Sequence, residues 1–316
     1  MTDETRPGEE GRPHTLAIDI GGTGLKASVL DASGTMVAPR VRRPTTYPLP
    51  PVGDGSLLTK LERLVGQLPT ADRVSAGFPG MVRNGVVLSA PHFVTKGGPG
   101  TEVDPELEAA WARFDLAAEL EAMTGKAARV ANDADVQGLA VVSGRGLELV
   151  VTLGTGFGTA LFLDGAVMPH LEIAHQPFRK GQTYNDQLGE QTRKEIGEER
   201  WNRRLAKAIA NLHGLLFFDH LFIGGGNARR VDLEKMGEFA DKVTIVSNAA
   251  GILGGIKLWE GRHLGVWVTC ERGGCRSPCS RWLAVPTPAA AMRPAPLGRP
   301  GRMRRSHRAR ARSSTD

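Results

Sequence analysis

Cysteine is absent from the first 269 residues of this 316-residue chain; Cys270, Cys275 and Cys279 all lie near its end. No disulfide framework therefore supports the main body, and the composition suits a reducing cytoplasm. Long apolar runs are missing as well. The longest uncharged stretch, Leu149 to Leu163, is interrupted by three glycines and falls short of the roughly 20 residues a spanning helix needs, so no membrane is expected. The opening MTDETRPGEEGRPH has neither the basic start nor the apolar run of a signal peptide and reads as a flexible tail over residues 1–14. Residues 264–316 lack lysine and nearly lack acids: 11 Arg stand against Glu271 and Asp316, a net of +9. The formal charge of +6 therefore leaves residues 1–263 at −3, and nucleic acid is not an expected partner of the folded body. With 41% hydrophobic and 23% charged residues, a disordered or collagenous chain is excluded.

What is present is an α/β pattern. Leu16 to Ile20 and Lys26 to Leu30 read as strands around a glycine turn, and Met36 to Val41 as a third. Leu57, Leu58, Leu61, Leu64, Val65 and Leu68 recur with helical period up to Pro69. Further strands are expected at Arg73 to Ala76, Ala128 to Ala131, Leu147 to Leu153, Thr159 to Leu163, Leu221 to Ile223 and Val243 to Val246. Helices are expected near Asp115 to Met123, Val136 to Val142, 186 to 213 and Ala249 to Trp259, with residues 95–105 as a loop. The segments LAIDIGGTGLKASVLDASG (16–34) and LVVTLGTGFGTALFLDG (149–165) echo each other as strand, GTG turn, strand and second turn. Such an echo points to two duplicated α/β halves, although Asp19 of the first copy is Thr152 in the second.

Glycine turns leave backbone N–H groups free to hold phosphate oxygens. Gly22, Gly24 and Ala27 fit a dinucleotide fingerprint, but a strand follows instead of a helix and Arg40, Arg42 and Arg43 stand where its acid belongs. No Gly-Lys pair is followed by Ser or Thr, which removes the Walker P-loop. Asn132-Asp133-Ala134-Asp135 sits between a strand and a helix, at the sheet edge where ligands bind in α/β folds. Helix capping alone would explain it. The alternative is a general base, an Asp that takes a hydroxyl proton as the oxygen attacks phosphorus, with Asn132 on a neighbouring hydroxyl. Glu172 and His175, between Pro169 and Pro177, are either solvated or placed to meet the hydroxyls of a sugar.

In this order the pieces resemble the ROK family of sugar kinases, within the actin-like ATPase superfamily, over about residues 15–260. Asp19 to Gly24 and Leu153 to Gly158 match the two phosphate motifs, Asn132-Asp133 the catalytic segment, Glu172-Ile173-Ala174-His175 the sugar motif and Gly224 to Gly226 the adenosine-side loop. LEIAHQPFRKG and NAAGILGGIKLWEG are most similar to the polyphosphate glucokinase-like branch. The resemblance implies a two-lobed actin-like ATPase (RNase H-like) fold with a cleft. The lobes would be residues 15–131, completed by a helix at 249–262, and residues 132–248, followed by a disordered tail at 263–316. It implies a cytoplasmic glucokinase acting at glucose O6, with Asp133 as base and Asn132, Glu172, His175 and Gly80 on the sugar. Gly22, Thr23, Gly24, Lys26, Gly154, Thr155 and Gly156 would meet phosphate, Gly225, Gly226 and Asn227 the nucleotide, and Asp19 would orient Mg2+. The expected partners are a small-molecule sugar and a donor, polyphosphate and/or ATP, and a homodimer is allowed. The rivals are a kinase for another hexose or hexosamine and a sugar-binding regulator without turnover. Ala174 replaces the family's usual glycine, which bears on the preferred sugar, and the absence of cysteine from 176–190 argues against a structural zinc. Lys26, Arg179, Lys180, Arg229 and Arg230 are candidates for a basic track along polyphosphate. In the tail, His263 and the three cysteines lack a CxxC pair and do not read as a zinc knuckle.

Overall fold

The computed structural model describes residues 13–98, 100–246 and 250–260, all within one compact unit, Met1–Trp267. The readings of the N-terminal tail and of the segment after residue 263 lie outside the described residues.

Strands β1 (Thr15–Ile20) and β2 (Gly24–Leu30) form the first hairpin, and β3 (Val41–Pro44) adds antiparallel to β2. The expected third strand at Met36 to Val41 is thus displaced: Met36 makes only an isolated bridge to Leu30, because Pro39 has no N–H to give a ladder. Helix α1 (Leu57–Val65) starts at Ser56, whose side chain accepts the Thr59 N–H, and β4 (Arg73–Phe78) then pairs parallel to β1. The short strands β5 (Val82–Arg83), β6 (Val86–Val87) and β7 (Phe114–Asp115) make a small sheet, and α2 (Pro105–Trp111) follows its cap Asp104. The sequence reading missed these elements, although Asn84-Gly85 and Asp104-Pro105 are turn and helix-start signals. After α3 (Leu116–Thr124), β8 (Ala128–Asn132) completes a sheet of order β3-β2-β1-β4-β8 and leads into α4 (Asp133–Leu139).

The second half repeats the plan. Strands β9 (Leu147–Leu153), β10 (Phe157–Leu163) and β11 (Ala166–Val167) are antiparallel. A small hairpin, β12 (Pro177–Arg179) and β13 (Gln182–Thr183), precedes α5 (Tyr184–Leu188), α6 (Glu190–Ile196) and α7 (Glu198–Leu216). The single helix expected at 186–213 is therefore three, broken at Gly189 and Gly197, whose backbones leave the helical region. Strands β14 (His220–Gly224) and β15 (Val243–Ile245) add in parallel, giving the order β11-β10-β9-β14-β15. The two sheets thus share one topology, two antiparallel pairings followed by two parallel ones, which extends the internal echo of the sequence beyond its two hairpins.

The strands are apolar on both faces because helices cover both. Leu16, Ile18 and Ile20 pack with Leu57, Leu61 and Leu64, while Ala17 on the other face meets α8 (Ala250–Glu260) at Ile256. That face is made of small residues, which lets the helix come close. Ser75 Oγ donates to the Gly255 carbonyl at 2.5 Å and accepts the Trp259 Nε1–H at 2.9 Å. A Cβ on Gly254 would run into the carbonyl of Val136 in α4. Gly254→Ala must therefore push α8 away from α4, an overpacking expected to lower Tm by about 5 °C or more. Thermal unfolding checks this, and an unchanged Tm would refute the contact.

Candidate active site

The C-terminal ends of the parallel strands β1, β4 and β8 bring together Asp19, the Gly77–Gly80 segment and Asn132-Asp133; Asp19 pairs with Gly77, and Phe78 with Asn132. The first turn of α4 is held from both sheets. A Cβ on Gly77 would lie 3.4 Å from Asp133 Cα, and one on Gly158 of β10 would lie 3.4 Å from Ala134 Cβ.

Both glycine turns are bonded in the same way. In the first, Thr45 Oγ1 donates to the Gly21 carbonyl and Tyr47 Oη to the Gly22 carbonyl, each at 2.7 Å. Burial pushes the Tyr47 hydroxyl up to about 12, so it remains a donor. In the second, the Gly154 carbonyl accepts the Glu190 N–H at 3.1 Å and Asn227 Nδ2 at 3.2 Å, and Asn185 Oδ1 accepts the Phe157 N–H at 3.0 Å. The carbonyls are engaged from outside. Among the described residues, the N–H groups of Gly22, Thr23, Thr155 and Gly156 have no acceptor. Each turn thus leaves backbone donors free, the kind of group that receives anionic oxygens. Asn227 belongs to this bracing: its own N–H also bonds the Leu153 carbonyl at 2.8 Å, and Gly225 has φ +89° where a side chain would strike Leu153.

Asn132 caps α4, its Oδ1 accepting the Ala134 N–H at 2.7 Å while Nδ2 donates to the Gly80 carbonyl at 3.0 Å. The capping reading therefore holds for Asn132, and both ends of its side chain are engaged. Asp133 is the first residue of that helix, and its Oδ1 accepts the same N–H at 2.8 Å. Burial first and the charge of Asp19 second raise the Asp133 carboxyl to about 7, against the lowering effects of the Ala134 N–H and of His170. Asp19 itself pairs with Lys26 Nζ at 2.7 Å, across the β1–β2 register.

Glu172 opens a single 3₁₀ turn, Ile173–His175, with His175 exposed. The sequence reading missed the residue behind it. His170, whose side chain is 4% exposed, donates from Nδ1 to Asp135 Oδ1 at 3.0 Å, and its Nε2 lies 3.7 Å from Glu172 Oε2. Burial disfavours the imidazolium, but the two carboxylates outweigh it and push His170 up to about 10. For Glu172, burial works upward and is overcome by His170, His175 and His92, so its carboxyl lies below the ordinary range. His92, from the segment after β6, is half-buried and is lowered by burial and by the nearby His175. His170 is two residues from Glu172, but its other partner, Asp135, is 35 residues away, and only the fold brings Asp135 and His92 to this cluster.

Among the described residues no three His, Cys, Asp or Glu side chains form a metal cage. Mg2+ does not require one, since it commonly binds through one or two carboxylates and substrate phosphate oxygens. Asp19, at the C-terminal end of β1 just before the first glycine turn, is one such carboxylate.

The ROK family model matches residues 15–170. A polyphosphate glucokinase of Mycobacterium tuberculosis is 27% identical over 241 residues, 73% of this chain and 84% of that protein. The crystal structure of an inorganic polyphosphate/ATP-glucomannokinase from Arthrobacter sp. strain KM is 27% identical, with a TM-score of 0.62 over 79% of this chain and 100% of that one. A ROK family glucokinase from Streptomyces griseus, 17% identical, shares the fold with a TM-score of 0.61 over 78% of this chain and 98% of its own. These solved structures carry the actin-like ATPase fold that the two repeated sheets display. Glu172, His175 and Gly225 to Asn227 lie beyond the matched span. Residues 15–170 are a ROK family domain, and it holds both glycine turns, Asp19 and Asp133.

Proposed function

We propose that the protein is a phosphotransferase of the polyphosphate glucokinase kind, moving a phosphoryl group from polyphosphate and/or ATP to glucose O6. One observation supports this most: Asp133, a carboxyl with a pKa near 7, begins a helix held between two sheets whose glycine turns each present free N–H groups. A base of that pKa is half deprotonated at neutral pH and takes a hydroxyl proton effectively. In this reading Asp133 removes the O6 proton as the oxygen attacks phosphorus. The N–H groups of Gly22, Thr23, Thr155 and Gly156 hold the donor's phosphate oxygens, and Glu172 and His175 bond the sugar hydroxyls. Asn132 acts indirectly, fixing Asp133 and tying the Gly80 segment to it. Asp19 would hold Mg2+ together with the donor, and the ion would supply neutralisation of charge on the phosphate oxygens. The lobes expected from the sequence would close over the sugar and exclude water, which otherwise competes as acceptor. A cytoplasmic location is in keeping with the cysteine-free body, and no described helix is long and apolar enough to cross a membrane.

A coupled assay of glucose, mannose, fructose and N-acetylated hexosamines, with ATP and polyphosphate supplied separately, tests the reading. Glucose is expected to give the highest kcat/KM, and sugar binding without turnover by either donor would replace the kinase with a regulator. Because the base must be deprotonated, kcat/KM is expected to rise about tenfold per pH unit below pH 7 and to level off above it. A flat profile between pH 5 and 8 would remove Asp133 from that role.

A further inference from the structure

Helix α7 buries Trp201, Leu205, Ala208, Ile209 and Leu212 against the second sheet. Its other side carries Arg200, Arg203, Arg204 and Lys207, spaced i, i+3, i+4 and i+7, so the four cations form one row along the helix. The β12–β13 hairpin sets Arg179 and Lys180 opposite that row. With Phe178 these residues line a recess of about 470 Å³. No carboxylate lines it, and within it only Arg203 has an acidic partner, Glu199 at 2.8 Å. Burial and the charges of Arg179 and Arg200 press the Arg204 guanidinium below its ordinary value. Like charges held together in a concave site create a strong positive potential that attracts anions.

Both walls of the recess are anchored on the second glycine turn. The hairpin runs from just after His175 to just before Asn185, the residue that bonds the Phe157 N–H. Its Phe178 stacks on Tyr184 at 4.6 Å between ring centres, and Tyr184 on Phe157 at 5.6 Å. The other wall follows α6, whose Glu190 N–H bonds the carbonyls of Gly154 and Thr155. The recess is therefore built on structure continuous with that turn.

We infer that the Arg179–Lys180 hairpin and the Arg200, Arg203, Arg204 and Lys207 face of α7 form a subsite for the trailing phosphates of linear inorganic polyphosphate. This rests on the donor assignment proposed above and extends it. It also revises the expected basic track. Lys26 is paired with Asp19 and Arg230 with Glu198 at 2.9 Å, while Arg179 and Lys180 do line the recess. Single-stranded nucleic acid fits less well, because it calls for aromatic platforms and the one ring present, Phe178, is already stacked.

The test compares the full chain with its Arg204→Gln/Lys207→Gln variant, using long-chain polyphosphate, tripolyphosphate and ATP as donors. The expected result is a KM for long-chain polyphosphate raised about tenfold, with a shallower dependence on salt. For tripolyphosphate and ATP, KM stays within about twofold, and kcat is unchanged with all three, since neither residue touches the reacting atoms. An unmoved long-chain KM, or an equal loss with all three donors, would overturn the subsite. Arg200→Gln/Lys207→Gln, two exposed positions, serves if the half-buried Arg204 proves necessary for folding. Calorimetric titration of long-chain polyphosphate without sugar separates this inference from the kinase reading. Tight binding that weakens in the variant keeps the subsite even if no sugar is phosphorylated; equal binding by both chains removes it. Equal binding of a single-stranded oligonucleotide at the same residues would reassign the recess to nucleic acid. The Arg-rich segment after residue 263 is common to both chains, so the difference between them reports the recess alone.

Discussion

Asp133→Asn is expected to lower kcat by about 10²-fold to 10⁴-fold, the usual range for a general base, and to raise Tm at pH 8. The two effects share one cause. The folded-state pKa of about 7 lies above the roughly 3.9 of an unfolded Asp, so the native state binds this proton more tightly than the unfolded chain does. The resulting stabilisation is fully present below about pH 4 and is lost as pH rises through 7. Above that, the charged carboxylate, enclosed beside Asp19, is a liability that catalysis requires and folding does not. Asparagine keeps the shape and the carbonyl that accepts the Ala134 N–H, and removes the charge. Because Asp133 remains partly open to solvent, a gain of about 1 kcal/mol is a reasonable scale, or about 3 °C in Tm. The gain should grow between pH 4 and 7 and level off beyond. Turnover near that of the wild type would remove Asp133 as the base. Lost turnover with no pH-dependent rise in Tm would mean that the carboxyl is not strained by its surroundings.

The features legible in the sequence were those carried by local pattern. Glycine turns between alternating strands, the echo of residues 16–34 at 149–165, and Asn-Asp between a strand and a helix each impose their geometry within a few residues. The echo accounts for one hairpin in each sheet, while the parallel strands that complete the shared order lie outside it. Displaced boundaries had local causes as well: Pro39 ended a ladder, and Gly189 and Gly197 divided a long helix. What was hidden depends on contacts distant along the chain. Asp135 and His170 are 35 residues apart, and no spacing rule joins them. The Thr45 and Tyr47 donors reach back more than 20 residues to occupy the carbonyls of the first turn. The basic face of α7 at 200, 203, 204 and 207 was not read from the sequence, and its meaning comes from the hairpin that folds against it.

His170→Leu is expected to be among the most destabilising substitutions in the domain. Its imidazolium stands between Asp135, 6% exposed, and the partly buried Glu172. Leucine fills the volume but leaves Asp135 without a counter-charge. Breaking a buried pair from one side generally costs about 3–5 kcal/mol, corresponding to a fall of about 10 °C in Tm. The loss should be largest near pH 8 and should shrink toward pH 5, where Asp135 can take up the proton that His170 no longer supplies. The wild type carries the complementary signature. Because the folded pKa of about 10 exceeds the roughly 6.5 of an unfolded histidine, the stabilisation from His170 is complete below pH 6.5 and is lost as pH rises toward 10. A positioning role adds a kinetic consequence that packing alone would not. Freed from His170, Glu172 should lose its fixed orientation, raising the sugar KM about tenfold while kcat at saturation changes much less. His170→Gln, which keeps a donor toward Asp135, should recover part of the stability but not the charge presented to Glu172, and so less of the KM. Equal recovery of both in the glutamine variant would assign His170 to packing. Wild-type melting of His170→Leu at pH 8 would show that Asp135 does not depend on its charge at all.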